Sequence, residues 1–289
     1  MSTSVLILIV LTSLGLVFGF ILAYANKKFA VEVNPLIHLV EDVLPKGQCG
    51  ACGYAGCQAY AEAVVLNPDV SPSLCIPGKE PVAKLVAEMT GKRAAAVEPR
   101  MAQVRCAGIG GKAVKSYAYQ GVEDCAAANL MFGGPKECKY GCLGLGTCAR
   151  NCPFDAIVMN EAGLPMIDPA KCTGCGLCES VCPKHVIAML PLGAKVRVNC
   201  NSHDKGQVAR KACSSACIGC TLCMRECPHG AIKMDNNLAV VDAAICSREC
   251  SEAKCLAKCP TKAIRPALPG VLPGTEEAPA SMQSKIMAG

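Results

Sequence analysis

The 289-residue chain has no tryptophan, and its five phenylalanines and six tyrosines bring aromatics to only 4%. A chain so short of bulky side chains has little with which to fill a large core, so its domains must be small and stapled by something else. Charged residues reach 18%, and the net charge of +6 includes no basic patch interleaved with aromatics. That excludes nucleic acid as a partner, while leaving a mild bias toward acidic ones. No Gly-rich turn opens a helix after a strand: Gly108-Ile109-Gly110-Gly111 is too short and lies wrongly. A dinucleotide therefore has no binding site of its own here. What the chain has in excess is cysteine, 24 of them.

Such a cysteine count reads either as a disulfide scaffold or as metal ligation. The spacing decides. Four times a cysteine cluster closes on Cys-Pro with an isoleucine shortly after: Cys152-Pro153 to Ile157, Cys182-Pro183 to Ile187, Cys227-Pro228 to Ile232 and Cys259-Pro260 to Ile264. Disulfide frameworks need neither Cys-Pro punctuation nor repeated two-residue gaps, whereas an iron-sulfur cube needs several thiolates converging from a tight, glycine-containing loop. The run Cys172-Thr-Gly-Cys175-Gly-Leu-Cys178-Glu-Ser-Val-Cys182-Pro183 resembles the C-x2-C-x2-C-x3-C-P run of bacterial ferredoxins, and Cys217, Cys220, Cys223 and Cys227 repeat it. Thiols kept free for iron belong in a reducing compartment.

Val5 to Ala25 is an uncharged run of 21 residues; as a helix it spans roughly 30 Å, the thickness of a bilayer core. The small-x-small sequence Ala23-Tyr24-Ala25 would suit a cleaved signal, but no Lys or Arg precedes the run, and export would carry the cysteines to an oxidising side. The run reads as a retained anchor. Lys27 and Lys28 follow it directly, which places the remainder in the cytoplasm and the protein in the inner (plasma) membrane as a single-pass chain. Gly15 and Gly19 make a G-x3-G face, as apt for a neighbouring membrane helix as for an ordinary apolar one.

The expected class is α+β: a transmembrane helix, a small four-cysteine iron-sulfur module, and tandem ferredoxin-like cluster domains. In residue numbers this gives an anchor over 1–28, a module over 29–80, a helix-plus-linker over 81–100, a first two-cluster unit over 101–192, a second over 193–265, and a disordered tail over 266–289. Apolar spacing predicts a helix over 33–44, and Gln58 to Leu66 is helix-prone. The two units follow from a duplication: Cys125, Cys138, Cys142, Cys148 and Cys152 map onto Cys200, Cys213, Cys217, Cys223 and Cys227, each pair 75 positions apart. Each copy carries a short strand in its spacer, Pro165 to Asp168 and Ala239 to Asp242.

Cys49, Cys52, Cys57 and Cys75, with glycines between the first three, fit a self-contained cube, the alternative being a four-cysteine zinc site. Exchanging the fourth ligand between neighbouring cubes, as two-cluster ferredoxins do, gives Cys172, Cys175 and Cys178 with Cys152, and Cys217, Cys220 and Cys223 with Cys259. It also gives Cys246, Cys250 and Cys255 with Cys227. The first group is irregular, because Leu145 stands where the duplication expects the counterpart of Cys220. Cys138 can substitute, giving Cys138, Cys142 and Cys148 with Cys182. Cys106, Cys125, Cys200 and Cys213 are then left over, either as buried thiols or as ligands of one more cube. The expected cofactors are five to six [4Fe-4S] clusters.

An anchoring helix, then Cys49-Gly50-x-Cys52-Gly53-x2-Gly56-Cys57 with a distant Cys75, then doubled ferredoxin motifs, resembles the B subunits of Rnf electron-transport complexes in their longer form. The resemblance covers residues 1 to about 265. It implies a membrane complex that couples electron transfer between ferredoxin and NAD to the pumping of sodium ions or protons. The chain would accept electrons from soluble reduced ferredoxin and relay them to membrane and flavin-bearing partner subunits, without a catalytic residue or NAD site of its own. Two other readings use the same clusters: a stand-alone membrane-tethered polyferredoxin, and the related complex that keeps a redox-sensing regulator reduced.

Overall fold

A computed structural model describes residues 3–29, 34–96, 98–108, 111–191 and 195–267. Val33 of the expected second helix, Ile109 and Gly110 of the glycine run, the boundary near 192 and the tail from 268 onward lie outside the described residues. The first element, α1 (Thr3–Phe29), is 27 residues long, or about 40 Å at 1.5 Å per residue. Its apolar side chains face outward, Leu16 at 76% and Phe20 at 75% exposure, and its basic residues Lys27 and Lys28 sit in the last turn. By length and composition it is the one helix among the described residues able to cross a membrane.

A small helical module follows, made of α2 (Pro35–Val43), α3 (Cys57–Leu66) and α4 (Lys79–Thr90). Asn34 caps α2 by accepting from the Leu36 N–H, and proline at the first helical position adds no unsatisfied donor. Ile37, Val40, Tyr60, Val64 and Val86 form one core with Cys75. The segment expected to begin a linker at residue 81 is thus still packing: Ala83, Val86 and Ala87 of α4 are buried. Lys92 then clamps the module by donating to the carbonyls of Val64, Asn67 and Val70.

The remaining chain forms two units of the same plan. The first holds β1 (Arg100–Val104), α5 (Cys125–Leu130), α6 (Thr147–Arg150), β2 (Ile157–Met159), β3 (Pro165–Ile167), α7 (Leu177–Ser180) and β4 (Ile187–Pro191). The second holds β5 (Val196–Val198), α8 (Gly206–Ala212), α9 (Leu222–Arg225), β6 (Ile232–Asp235), β7 (Leu238–Val241), α10 (Ala243–Glu249), α11 (Lys254–Lys258) and β8 (Ile264–Pro266). In each unit the outer strands pair with one another, β1 with β4 and β5 with β8, and the inner strands form hairpins, β2 with β3 and β6 with β7, all antiparallel. Equivalent hydrogen bonds extend both hairpins, Asp168 N–H to Ala156 and Asp242 N–H to Ala231.

The Cys-Pro punctuation has a geometric origin. In every copy the residue three after the cysteine donates its N–H back to the cysteine carbonyl: Asp155 to Cys152, His185 to Cys182, Gly230 to Cys227 and Lys262 to Cys259. All four of these residues have φ between 48° and 63°. Proline pre-sets φ at the second turn position. The turn then releases the chain into β2, β4, β6 or β8, each beginning with the isoleucine noted above, and each isoleucine is buried at 7% exposure or less. The turn therefore aims a thiol and an apolar side chain into the same small core.

The N-terminal module docks onto the first unit at Gly47, where a Cβ would lie 2.7 Å from the Phe154 ring. Stability of that module should depend on α4. Val86 is fully buried while its neighbour Leu85 is 42% exposed. Val86→Ala is expected to cost about 2 kcal/mol and Leu85→Ala about 0.5 kcal/mol or less, read as shifts of the anaerobic urea midpoint. Equal shifts would mean that α4 does not pack as described.

Candidate metal centres

All 24 cysteines are unpaired by disulfides, and the fold gathers them in groups of four. Cys49, Cys52, Cys57 and Cys75 line a hollow of about 350 Å³ beneath Leu44 and Tyr60. Cys152, Cys172, Cys175 and Cys178 line one of about 310 Å³. Cys217, Cys220, Cys223 and Cys259 line one of about 330 Å³. Cys227, Cys246, Cys250 and Cys255 belong to the core of the second unit, and their thiols act on one another. In these four groups the structure brings together the side chains that the spacing pairs.

The irregular group is different. The structure brings Cys125, not Cys138, to Cys142, Cys148 and Cys182, around a hollow of about 370 Å³. The cause is local. Asp124 caps α5, accepting from the Ala126 and Ala127 N–H groups, and its second oxygen accepts from the Thr147 hydroxyl. Thr147 in turn accepts from the Cys125 N–H at 2.8 Å, so the start of α5 is pinned to the loop carrying Cys148. Cys138 is instead gathered with Cys106, Cys200 and Cys213 around a hollow of about 360 Å³. The leftover set expected from spacing is corrected by the same exchange.

Backbone geometry suits thiolate ligation in four of the groups. The N–H two residues beyond the cysteine points at its sulfur at Cys49, Cys138, Cys142, Cys175, Cys200 and Cys213. Such turns need glycine where a carbonyl comes close. Gly174 has φ of 74° and its Cβ position is occupied by the Arg100 carbonyl of β1; Gly219, with φ of 66°, would meet the Asn237 carbonyl at 3.0 Å. Gly144 keeps the same conformation although the next residue is Leu145 rather than cysteine.

Without iron, seven of these thiols are held protonated by burial. Burial pushes Cys75, Cys148, Cys200 and Cys223 up to about 11, and Cys142, Cys178 and Cys255 up to about 12; neighbouring thiols add to each rise. Iron must displace those protons, which couples cluster assembly to folding. Among the described residues no three His, Cys, Asp or Glu side chains close in on one point as the ligands of a single ion do. The sulfur-directed N–H groups and the glycine-containing loops that bring four thiols together fit a [4Fe-4S] cube, whose four thiolates bind different iron atoms, better than one zinc ion.

The groups stand in single file. The Cys49 and Cys175 thiols face each other across the boundary between the module and the first unit, and each shifts the other, Cys49 downward and Cys175 upward. Cys178 and Cys148 act on each other within the first unit. The Cys142 N–H donates to the Cys106 sulfur at 3.5 Å. A Cys217 backbone hydrogen bond and the Cys217 thiol both act on Cys200, and Cys223 acts on Cys255. The order from the N-terminal module is therefore the Cys49, Cys152, Cys125, Cys106, Cys217 and Cys227 groups.

Two family models match: "Putative Fe-S cluster" over residues 44–77, and "4Fe-4S binding domain" over residues 165–188 and 214–233. The B subunit of the proton-translocating ferredoxin:NAD(+) oxidoreductase complex of Clostridium ljungdahlii is 64% identical over 257 residues, 89% of this chain and 90% of that protein. Its counterpart in the Na(+)-translocating complex of Acetobacterium woodii is 43% identical over 82% of this chain and 71% of its own length. The corresponding protein in the ion-translocating oxidoreductase complex of Methanosarcina acetivorans is 42% identical over 82% and 90%. With that identity sustained over 82 to 89% of its length and over thiol groups of this geometry, the chain belongs to the B subunits of the Rnf-type ion-translocating oxidoreductase complexes.

Proposed function

We propose that this chain is the membrane-anchored electron relay of an ion-translocating ferredoxin:NAD+ oxidoreductase complex. The observation that carries the reading is the single file of four-cysteine groups running from the second ferredoxin-like unit to the module next to the anchor in sequence. Reduced soluble ferredoxin would deliver electrons at the Cys217 and Cys227 end, and the Cys49 group would hand them to membrane and flavin-bearing partner subunits. NAD reduction and movement of sodium ions or protons then belong to those partners, since the one helix among the described residues able to cross a membrane supplies no ion path. The clusters would contribute one-electron redox chemistry. The protein's part is to hold them close, keep water from the sulfurs and direct N–H groups at them.

The ligand sets that follow are Cys49, Cys52, Cys57, Cys75; Cys152, Cys172, Cys175, Cys178; Cys125, Cys142, Cys148, Cys182; Cys217, Cys220, Cys223, Cys259; and Cys227, Cys246, Cys250, Cys255. Lys27 and Lys28 in the last turn of α1 support a cytoplasmic orientation for all of them.

Three results follow. Gly174→Ala places a methyl group against the Arg100 carbonyl, whereas Gly176, with φ of 82°, has open space around its Cβ. The first variant should lose about four iron atoms per chain; the second should keep them at a strain cost of about 1 kcal/mol. Similar iron content in both would show that the Cys172 to Cys178 loop does not hold a cube in this geometry. Cys220→Ser in the intact complex should lower ferredoxin-dependent NAD reduction at least tenfold while leaving NADH-driven flavin reduction in the partners near its normal rate. Equal loss of both, in a complex of normal composition, would remove this chain from the ferredoxin side. Protease added outside intact cells should leave the cluster domains whole, and their digestion would reverse the orientation.

A further inference from the structure

Outside α1, the two most exposed of the described large apolar side chains stand on one turn at the end of α5. Leu130 is 86% and Phe132 96% exposed, with Met131 at 52% between them, so that Phe132 is barer than any described apolar side chain of α1 itself. The matching positions of the second unit, 75 residues on, hold Lys205, Gly206 and Gln207. The apolar tip thus belongs to one copy of the duplication alone. Phe132 also has φ of 52°, a left-handed conformation that strains a bulky residue and that glycine would adopt freely. Such strain at a solvent-facing ring is a cost with no return within the fold, which points to a contact outside it.

The tip is built to enter an apolar medium. Four consecutive N–H groups are satisfied within it: Met131 donates to Ala128 at 3.2 Å, Phe132 to Leu130 at 3.2 Å, Gly133 to Asn129 at 3.0 Å and Gly134 to Met131 at 2.9 Å. The Met131 carbonyl also accepts from the Tyr117 hydroxyl at 2.6 Å. Backbone groups paired in this way carry little penalty on leaving water. No charged side chain occurs from 125 to 135. Below the tip the chain turns basic. The two paired segments that carry it, 112–117 and 134–139, hold Lys112, Lys115, Lys136 and Lys139 against the single acid Glu137. Lys139 pairs with Asp204, and the Lys184 ammonium lies 3.3 Å from where a Cβ on Gly133 would stand. Exposed apolar side chains above a lysine-rich base are the pattern of a segment that lies in a membrane interface, where cations meet the headgroups.

We propose that Leu130, Met131 and Phe132 insert into the lipid bilayer at the boundary of headgroups and acyl chains, and so hold the first ferredoxin-like unit against the membrane surface. The proposal rests on the membrane anchor read above and not on the direction of the relay. Continuity with that anchor is what selects lipid as the occupant. Only four residues, 30–33, separate α1 from Asn34, a reach of at most about 14 Å, and the module that follows docks onto the first unit where Gly47 meets Phe154. The unit tied most directly to the anchor is therefore the one that carries the tip, and the unit joined beyond it carries none. A contact made next to a tether is intramolecular in effect, so three apolar side chains suffice where they would bind a free protein only weakly.

Because the chain has no tryptophan, one introduced residue is its sole reporter. Phe132→Trp, Tyr24→Trp in α1 and Val240→Trp on the exposed face of the second unit would each be made in the full-length protein. Each is purified anaerobically and reconstituted into vesicles of phosphatidylethanolamine and phosphatidylglycerol, with acyl chains either plain or brominated near the headgroup end. Quenching by bound clusters is the same in both preparations, so the ratio of the two emissions reads contact with lipid alone. Brominated lipid should lower the emission of Phe132→Trp and Tyr24→Trp about twofold or more and leave that of Val240→Trp unchanged. Emission from Phe132→Trp as insensitive as that from Val240→Trp, with Tyr24→Trp quenched, would overturn the tip while leaving the anchor standing. An unquenched Tyr24→Trp would instead overturn the anchor, and the tip with it. Should Phe132→Trp fail to fold, Leu130→Trp at the same turn reads the same contact. In the intact complex, p-benzoylphenylalanine in place of Phe132 should form photoadducts with lipid, and an adduct with a partner subunit would overturn the bilayer as occupant.

Discussion

Iron-thiolate coordination is the interaction on which the soluble part of this chain depends. With no tryptophan and 4% aromatics, the cores are small, and cysteines are core members alongside Val196, Ile232 and Ile264 in one unit and Ile157 and Val186 in the other. A buried thiol is a modest hydrophobe, but four brought together repel once deprotonated, and burial raises their pKa values further. Four iron atoms turn that repulsion into the strongest bonds in the core. The Cys-Pro turns, the left-handed residues that end them and the close glycines all serve to point sulfurs inward at a spacing that a cube spans.

On the relay proposed above, that same requirement sets the path of the electrons. Each ferredoxin-like unit places its two groups on either side of a shared core, so transfer within a unit follows from the fold. Transfer between modules does not, and the structure meets it with specific contacts: Cys49 against Cys175 at one boundary, and the Val114 N–H to Ala212 and Ser214 N–H to Lys112 backbone bonds at the other. The first boundary is tightened by Gly47, which leaves room for the Phe154 ring. The α1 helix, long and apolar enough to cross a membrane, would tether one end of that file, which suits a relay that must hand electrons to partners in the same complex.

Much of this was legible in the sequence. Cys-Pro followed by isoleucine marks four strand starts, and all four strands begin at that isoleucine because the turn leaves the chain no other direction. The apolar N-terminal helix, the Ala-rich helix after Cys57 and the duplication could be read from hydropathy, composition and spacing. The exchange between Cys125 and Cys138 could not be read from spacing alone, since both copies place their leading cysteines equally far apart. The signal was in polar residues: Thr147 stands where the second copy has Leu222, and Asp124 precedes Cys125, together forming the network that draws Cys125 inward. The contacts between modules were invisible for a different reason. They join segments more than 100 positions apart, Gly47 with Phe154 and Cys49 with Cys175, through single side chains that no periodicity marks.

The order of the file is the central claim, and the order in which the cubes fill with electrons tests it most directly. Mixing the intact complex with less reduced ferredoxin than there are cubes, freezing at successive times and following the electron paramagnetic resonance signals, each assigned beforehand from single Cys→Ser variants, would read that order. The account predicts that signals from the Cys217 and Cys227 groups rise first and that of the Cys49 group last. Reduction of the Cys49 group before either of them would contradict it.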